Sequence, residues 1–397
     1  MIPLPLDLVE PLGRLHARPW ADAITGVQID SRRIEEGDLF VAVGGGSDFE
    51  AHALARGAGA VLIPDDAHRA LAALGAAVRD RSHARVVGIT GATGKTTTKD
   101  ILYALTAPQL RTVASEANFN NELGVPLTLC RIETDTELAI VEMGMRGLGQ
   151  IAWLASFARP DVALITNIGP VHLELVGTVE KVAEAKAELV AALPVGGVAV
   201  VPDEPLLEPY LTRTDIEIRR VANLDDVDPF PLATSYTARH QRQNTLAALE
   251  VCDVLGVQTP ARLDVTFTPL REEVRELPDG VTLLNDCYNA NPLSMQAALQ
   301  HLADRAGERR RLAVLGEMAE LGAGAPEYHR EVGELARELG VEVIGVGSLA
   351  GAYGGRTVAD AAEAADALAA ELRPGDVVLV KGSRAVGLEA VAAKLTG

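Results

Sequence analysis

Runs of apolar residues alternate with Ala-rich stretches of helical periodicity along the chain, a pattern that predicts an α/β protein with parallel sheets. The unbroken apolar runs fit strands that are buried on both faces. In the first part of the chain we predict a strand at residues 38–43. The later predicted strands are residues 85–90, 138–142, 162–167, 197–201, 282–286, 312–316 and 376–381.

Polar and proline-bearing segments divide these elements into three predicted domains. A polar stretch at residues 80–83 precedes the strand at 85–90, and a stretch that contains Pro260 closes the middle unit. We therefore predict domains at residues 1–83, 84–262 and 263–397. A length of 397 residues agrees with two or three domains of ordinary size.

Composition and charge narrow the class of partner. The formal net charge is -19, which argues against a nucleic-acid partner because phosphate backbones need clustered Lys and Arg. Cys130, Cys252 and Cys287 have no paired metal spacing, so we expect reduced thiols and a cytoplasmic protein. The N-terminus does not resemble a signal peptide, and no apolar run is long enough for membrane insertion.

A Gly-rich loop between the strand at 85–90 and a predicted helix at 98–105 is typical of a phosphate-binding site. Its glycines let backbone N–H groups point at phosphate oxygens, and the helix N-terminus adds positive partial charge. Lys95 can reach the β- and γ-phosphates of a nucleotide, and the Thr96 hydroxyl can ligate Mg²⁺. Ile89 stands where the standard motif has its first Gly. The predicted nucleotide-binding residues of the loop are Gly91, Ala92, Thr93, Gly94, Lys95, Thr96 and Thr97.

Two polar residues follow predicted strands of the middle unit. Glu142 closes the strand at 138–142, and His172 lies just beyond the strand at 162–167. Active groups of open α/β sheets gather at the carboxyl ends of strands, so both could face a Mg²⁺-nucleotide. Glu142 is the more natural ligand because Mg²⁺ prefers oxygen. From position alone, a surface or capping role is as well supported for each.

Lys186 lies on the apolar face of a predicted helix at residues 178–193, in line with Val182, Ala183 and Val190. Burial would favour the neutral amine, which can react with CO₂ to give a carbamate, an anionic metal ligand. The other interpretation is a lysine whose long stem reaches solvent. The pattern alone favours this second interpretation because it is the commoner case.

Four segments together resemble the Mur ligases in order and spacing, and the resemblance runs over nearly the whole chain. They are residues 90–96, Glu142-Met143-Gly144, residues 166–174 and Ala185-Lys186. The resemblance implies an N-terminal domain for a UDP-sugar substrate. It also implies a central ATPase domain with a P-loop-type doubly wound sheet, and a C-terminal Rossmann-like domain.

The resemblance also assigns roles within the site. It implies that Lys186 is carbamylated, which reverses the expectation from the pattern, and that Glu142 and His172 bind Mg²⁺. With Thr96 these groups would hold two Mg²⁺ ions. Residues 238–244 are similar to the adenine-contacting motif, although Ala238 and Gln241 depart from it, and the matching contact is Asn244. Two further matches are Arg271, near the γ-phosphate although its flanking Gly is missing, and Asp286, near the ribose. Lys95, Lys186, His172 and Arg271 are the implied catalytic residues.

Within the family, three segments are similar to the members that add D-alanyl-D-alanine to UDP-N-acetylmuramoyl-tripeptide. They are residues 285–295, residues 315–322 with His329-Arg330, and residues 381–384. Residues 30–32 resemble a UDP-sugar motif, and the Pro-Arg motif of the diamino-acid-adding members is missing. The implied substrate-binding residues are Ser31, Arg32, Asn289, Asn291, Lys381, Ser383 and Arg384.

The implied activity is an ATP-dependent amide ligation through an acyl phosphate, by a monomer that acts on small molecules. One alternative is a folylpolyglutamate synthase, which should lack the motifs at residues 30–32 and 285–295. The other is a non-enzymatic nucleotide switch, which would need the phosphate loop without a second substrate domain. The third residue of the accepted stem peptide stays open.

Overall fold

The computed structural model describes residues 1–396 and confirms the expected α/β class. The N-terminal part forms a small mixed sheet with two α-helices. Its elements are β1 (Leu4–Pro5), β2 (Gly13–Ala17), β3 (Ala23–Ile24), β4 (Gly26–Gln28), β5 (Asp38–Val41), α1 (Glu50–Ala55), β6 (Ala60–Pro64) and α2 (Ala67–Arg81). The four-stranded sheet has the order β2-β6-β5-β4, in which only β2 runs antiparallel to its neighbour.

The middle of the chain forms a six-stranded parallel sheet covered by helices on both faces. Its elements are β7 (Arg85–Thr90), α3 (Lys95–Thr106), β8 (Thr112–Ala114), α4 (Gly124–Leu129), β9 (Leu138–Glu142), α5 (Gln150–Ala158), β10 (Val162–Ile165), α6 (Leu173–Val176), α7 (Val179–Ala191), β11 (Val198–Pro202), β12 (Glu217–Val221), β13 (Ala233–Thr234), α8 (Arg239–Leu255) and β14 (Arg262–Leu263). The order is β12-β11-β10-β7-β9-β8, with every pairing parallel.

The last third of the chain forms a second six-stranded sheet. Its elements are β15 (Glu273–Glu276), β16 (Thr282–Asp286), α9 (Pro292–Ala306), β17 (Arg311–Gly316), α10 (Ala325–Glu338), β18 (Val341–Val346), β19 (Arg356–Val358), α11 (Ala361–Glu371), β20 (Val377–Lys381) and α12 (Glu389–Thr396). The order is β15-β16-β20-β17-β18-β19, and only the edge strand β15 is antiparallel.

The strand order of the middle sheet explains where a site can form. β7 lies between β9 and β10, so the chain leaves β7 toward one edge, returns through β9 and continues on the other side with β10. Ligands bind at such a switch point, outside the carboxyl ends of the strands. The phosphate loop, Glu142 and the segment that leads to His172 therefore start from three adjacent strand ends.

The connection between the middle and last sheets is held to helix α3. Asp100, on α3, accepts hydrogen bonds from the backbone N–H and the hydroxyl of Thr268, at 2.8 and 3.3 Å. Leu270 and Glu272, just beyond, have positive φ angles of 62° and 53°. A linker with such a bend, tied to the helix that follows the phosphate loop, brings Arg271 next to that loop.

Each of the three larger sheets lies within one predicted domain, while the exact boundaries at 83/84 and 262/263 stay a prediction. One continuous apolar cluster joins the N-terminal part to one face of the middle sheet, whereas separate clusters cover the two faces of the last sheet. Within residues 1–396, no helix combines the length and hydrophobicity needed to cross a membrane.

Candidate active site

The phosphate loop has the backbone shape that the sequence predicts, although its helix begins earlier than expected. α3 starts at Lys95 rather than at residue 98, because Gly94 has a left-handed φ of 75° and stands directly before the first turn. A Cβ at Gly94 would lie 2.8 Å from both amide atoms of Asn244. Position 94 therefore needs glycine for its backbone angle and for the approach of helix α8.

The end of strand β10 holds the loop in place. The Thr166 hydroxyl donates to the Thr93 carbonyl at 2.6 Å, and the Thr93 N–H donates to Asn167 Oδ1 at 2.9 Å. Lys95 Nζ is partly buried and donates to the Gly91 carbonyl at 2.8 Å, and desolvation lowers the pKa of this ammonium despite the nearby Glu142 carboxylate. These three hydrogen bonds fix the shape of the loop.

The side chains of Thr96, on α3, and Glu142, at the end of β9, contact each other directly. The Thr96 hydroxyl donates to Glu142 Oε2 at 2.8 Å, and Asn120 Nδ2 donates to Glu142 Oε1 at 2.7 Å. The Glu142 carboxylate is fully buried, so these bonds replace the water that it would have in solution. Asn120 lies outside the sequence motifs that resemble the family. The sequence analysis therefore did not identify it as a residue of the site.

His172 lies at the N-terminus of the short helix α6 with a left-handed φ of 54°. Its Nδ1 is hydrogen-bonded to a carboxylate oxygen of Glu320, which belongs to the C-terminal part of the chain. Burial lowers the pKa of the ring, opposed by the Glu320 charge and hydrogen bond. The sequence did not indicate Glu320 as a partner, because the contact forms only when two sheets dock.

Lys186 is 2% exposed, so the interpretation that the pattern alone favoured, a side chain that reaches solvent, is wrong. It lies on α7, whose N-cap Thr178 accepts a hydrogen bond from the Lys181 N–H at 3.3 Å. Burial lowers the pKa of the Lys186 ammonium well below its usual value, and the nearby Lys95 charge lowers it further. The amine therefore has the environment in which the neutral, CO₂-reactive form is favoured.

These side chains fit Mg²⁺ in part. Thr96 and Glu142 offer adjacent oxygens of the type that Mg²⁺ prefers, and His172 lines the same cleft. Among residues 1–396, no group of three His, Cys, Asp or Glu side chains is close enough to hold a metal by itself. A metal here would need further oxygens, which nucleotide phosphates and a carbamate on Lys186 can supply.

The C-terminal part of the chain brings a second cationic group to the cleft. The Arg271 guanidinium lies 4.0 Å from the ring centroid of Tyr288, and its Nε is buried without a hydrogen-bond partner among the described residues. A buried donor of this kind is costly unless an acceptor arrives. The arrangement therefore suits an anionic ligand at Arg271, and the phosphate-binding role that the resemblance implies stays a prediction.

Strands β16 and β20 place Asp286 opposite Lys381 by their parallel register. Lys381 Nζ donates to the Asp286 carboxylate and to the Asn289 carbonyl, and its side chain is 2% exposed. Asn291 is the N-cap of α9, where its side chain accepts from the Ser294 N–H at 3.0 Å. Lys381 and Asn291 therefore hold the shape of this loop, which still faces the cleft.

The nucleotide motif on α8 approaches both the loop and the last sheet. The Asn244 amide packs against Gly94, while His240 Nε2 lies 2.9 Å from Glu272 Oε2, on the linker side. Burial would lower the pKa of the His240 ring, but the Glu272 carboxylate and its hydrogen bond raise it overall. Helix α8 therefore contacts the parts of the chain on both sides of the linker.

One cleft of about 1300 Å³ brings most of the predicted site together. Its lining includes residues from the middle part and from the last part of the chain. The predicted residues that line it are Ala92, Thr93, Gly94, Lys95, Thr96, Thr97, Glu142, His172, Lys186, Asn244, Arg271, Asp286, Asn289, Asn291 and Lys381.

Five predicted residues lie outside this cleft lining. Gly91, at the start of the loop, packs against Thr166, since a Cβ at this position would be 1.8 Å from Thr166 Oγ1. Ser31 is buried, and its hydroxyl lies 2.9 Å from Nδ1 of His52. Arg32 is exposed and forms an ion pair with Asp30. The remaining two are Ser383 and Arg384.

Ser383 and Arg384 follow strand β20 and act on neighbouring loops. The buried Ser383 hydroxyl accepts from the Ala319 N–H at 2.9 Å. The Arg384 guanidinium lies 5.8 Å from the ring centroid of Tyr288, on the same ring that Arg271 contacts. Tyr288 therefore links two arginines, a role that the sequence motif alone did not show.

Three family models match successive parts of the chain. A model of the Mur ligase family catalytic domain matches residues 23–95. A model of the Mur ligase middle domain matches residues 89–227, and a model of the Mur ligase glutamate ligase domain matches residues 270–384.

Full-length relatives and solved structures agree with these matches. The chain is 36% identical to the UDP-N-acetylmuramoyl-tripeptide–D-alanyl-D-alanine ligase of Mycobacterium tuberculosis, over 97% of this chain and 94% of that protein. A crystal structure of MurF from Acinetobacter baumannii covers 99% of both chains with a TM-score of 0.86 and 26% identity. MurF from Thermotoga maritima, solved in complex with ADP, covers 94% of this chain and 97% of its own, with a TM-score of 0.82 and 30% identity. The chain belongs to the Mur ligase family.

Proposed function

We propose that this chain joins D-alanyl-D-alanine to UDP-N-acetylmuramoyl-tripeptide, with cleavage of ATP to ADP and phosphate, in the synthesis of the peptidoglycan precursor. The observation that carries the specificity is the 36% identity to a ligase of that name over almost the full length of both chains. The alternatives of a folylpolyglutamate synthase and a nucleotide switch do not account for this identity. The ADP complex of the Thermotoga maritima relative supports an adenine nucleotide as the bound ligand.

The reaction needs an activated carboxylate, because a free carboxylate is a poor electrophile. The terminal carboxylate of the tripeptide attacks the γ-phosphorus of ATP, forming an acyl phosphate and releasing ADP. The amine of the dipeptide then attacks the acyl carbon, and phosphate leaves from the tetrahedral intermediate as the amide forms. Phosphoryl transfer depends on positioning and on neutralising negative charge.

In this proposal the phosphate loop holds the triphosphate and two cationic side chains face it. Lys95 and Arg271 both line the cleft, Lys95 at the start of α3 and Arg271 on the linker. Both are ready to bind an anion, since the Lys95 ammonium bonds only a loop carbonyl and Arg271 Nε lacks an acceptor. Charge that develops on the transferred group would be stabilised by these donors.

We propose that Thr96, Glu142, His172 and a carbamylated Lys186 hold the magnesium ions of the reaction. Mg²⁺ supplies electrostatic stabilisation of the phosphate charge when it is bound. Two ions are more consistent than one with a triphosphate, a buried carboxylate and a carbamate in the same cleft. Asn120 fixes the Glu142 carboxylate through its 2.7 Å hydrogen bond and so orients an oxygen toward the loop.

The remaining roles concern the organic substrates. We place Asn244 and Asp286 at the nucleoside, and Ser31 and Arg32 at the UDP-sugar in the N-terminal part. Asn289, Asn291, Lys381, Ser383 and Arg384 belong to the acceptor side, where Lys381 and Ser383 act by shaping loops. The proposal extends to a cytoplasmic monomer; three buried free cysteines support a reducing compartment.

The direct test is phosphate release with each substrate alone and with both together. The proposed ligase releases phosphate fast only when UDP-N-acetylmuramoyl-tripeptide and D-alanyl-D-alanine are both present, and mass spectrometry then shows the pentapeptide product. Tripeptides with lysine or diaminopimelate at the third position identify the accepted stem peptide. Hydrolysis at one rate whatever acceptor is added would contradict the proposal.

A further inference from the structure

The segment at residues 315–322 has no role of its own in the proposed chemistry. It contains a loop of the C-terminal part that is hydrogen-bonded to Ser383. We call residues 317–322 the Glu320 loop. Its backbone is fixed by three hydrogen bonds: Met318 N–H to His329 Nε2 at 3.0 Å, Ala319 N–H to Ser383 Oγ at 2.9 Å, and Ser383 N–H to the Glu317 carbonyl at 3.1 Å. The loop is therefore rigid within its own sheet.

The backbone of Glu320 has an unusual conformation. Its φ angle is 63°, in the left-handed region that residues other than glycine seldom adopt. Such a conformation persists where surrounding contacts determine it, and it is found often at functional sites. Here it turns the Glu320 side chain toward the middle sheet.

The Glu320 loop lies directly on the start of helix α6. The Glu174 N–H donates to the Glu320 carbonyl at 3.2 Å. A Cβ at Gly322 would be 3.3 Å from Glu174 Cα, so the two backbones are almost in contact. This contact joins the last sheet to the segment that carries His172.

The Glu320 carboxylate occupies one side of the His172 ring. One carboxylate oxygen is hydrogen-bonded to His172 Nδ1, and the other lies 3.8 Å from Arg146 Nε. His172 belongs to the lining of the cleft, whereas Glu320 does not. The other ring nitrogen, Nε2, is left for a ligand inside the cleft.

We infer that Glu320 is a positioning residue for the metal site, which fixes the orientation and tautomer of His172 from the C-terminal domain. A metal-binding histidine commonly donates its second ring N–H to a carboxylate, and that partner raises the affinity of the ring for metal. Here the partner belongs to a different sheet from the ring. The metal site is therefore complete only when the C-terminal domain is docked on the middle one. This inference rests on the metal site of the proposed function.

The test measures Mn²⁺ binding to the full-length chain in the presence of ADP, followed by electron paramagnetic resonance. Glu320→Gly removes the carboxylate and suits the left-handed backbone, so it should fold. We expect its Mn²⁺ affinity to fall by about 10- to 100-fold. Glu320→Gln keeps an oxygen that can accept from Nδ1 and should lose less. Glu327→Gln, an exposed glutamate on α10, is the matched control and should bind as the wild type does.

A spectroscopic readout separates positioning from a general effect on folding. Pulsed measurements of Mn²⁺ should show coupling to a histidine nitrogen in the wild type, and weaker coupling in Glu320→Gly. Unchanged affinity and unchanged coupling in Glu320→Gly would overturn the role of Glu320 while leaving the ligase assignment intact. A wild-type chain that ligates the dipeptide but shows no nitrogen coupling would overturn the metal role of His172, and with it this inference.

Discussion

The guanidinium of Arg271 lies over the ring of Tyr288, with 4.0 Å between the guanidinium carbon and the ring centroid. The ring belongs to the loop after β16, and the Tyr288 N–H donates to the Leu270 carbonyl at 3.2 Å. Tyr288 therefore contacts both the side chain of Arg271 and the backbone of the residue before it.

Removal of this ring should weaken the reaction through Arg271. We expect Tyr288→Leu to lower kcat by about 2- to 30-fold, the range that corresponds to a cation–π contact of about 0.5 to 2 kcal/mol. Tyr288→Phe keeps the ring and should stay close to wild type. Steady-state kinetics with varied ATP checks this, and equal losses in both variants would show that the hydroxyl matters rather than the ring.

Loss of Lys186 should remove the proposed carbamate. We expect Lys186→Ala to lower kcat by roughly 100-fold or more, and a short carboxylate such as acetate to restore part of the activity. Lys181→Ala is the control, since Lys181 is exposed on the same helix and paired with Glu184. Labelled CO₂ should give a carbamate signal by ¹³C NMR in the wild type and none in Lys186→Ala. Full activity of Lys186→Ala would remove the carbamate from the mechanism.

A methyl group at Gly94 should disturb nucleotide binding beyond its effect on folding. Gly94→Ala and Gly196→Ala both place alanine at a left-handed φ, 75° and 78°, which costs about 1–2 kcal/mol each. Only at Gly94 would the new Cβ press on Asn244, because nothing lies within 4 Å of a Cβ at Gly196.

We therefore expect both alanine variants to lose Tm, and Gly94→Ala to lose at least as much as Gly196→Ala. ADP affinity, measured by calorimetry, should fall only in Gly94→Ala. The loss should be roughly tenfold for each 1.4 kcal/mol of binding free energy that is lost when Asn244 is displaced. Equal ADP affinity in the two variants would indicate that Asn244 moves aside at no cost.

His301, on α9, should make the protein sensitive to acid. Burial, with the nearby His240 charge, lowers the pKa of the ring to about 4 in the folded chain, against 6.5 as its ordinary value. The unfolded chain then binds the proton more tightly, so this contribution to stability is present above pH 6.5 and is lost as pH falls toward 4.

His301→Asn should therefore lose less stability than the wild type between pH 6.5 and about 4. Urea unfolding without nucleotide at several pH values measures the difference, and His68→Asn, at an exposed position on α2, is the control. Parallel pH curves for wild type and His301→Asn would mean that the ring titrates normally in the folded chain.

The sequence predicts the strands of the site well and the contacts between domains poorly. The strands at residues 85–90, 138–142 and 282–286 have the predicted bounds, because unbroken apolar runs end sharply at polar residues. The start of α3 at Lys95 was missed, since the Thr-rich first turn has no helical pattern of apolar residues.

Lys186 shows what periodicity cannot decide. The pattern places it on the apolar face of α7, but a long side chain on that face can be buried or can extend to solvent. Its burial depends on neighbours from the phosphate loop, which are distant in sequence. The partnership of Glu320 with His172 was not predicted for the same reason, since it depends on how the last sheet docks.

The hydrogen bonds between Asp100 and Thr268 tie the start of the C-terminal part to α3, so a rotation of that part would have its pivot there. Asp100 is five residues beyond Lys95 on α3, which corresponds to about 7.5 Å along the helix axis. A rotation about this point would move Arg271, three residues beyond Thr268, by a short distance. It would move the far end of the domain by a long distance. We therefore expect Arg271 to stay near the phosphate loop even when the far end of the C-terminal domain moves a long way.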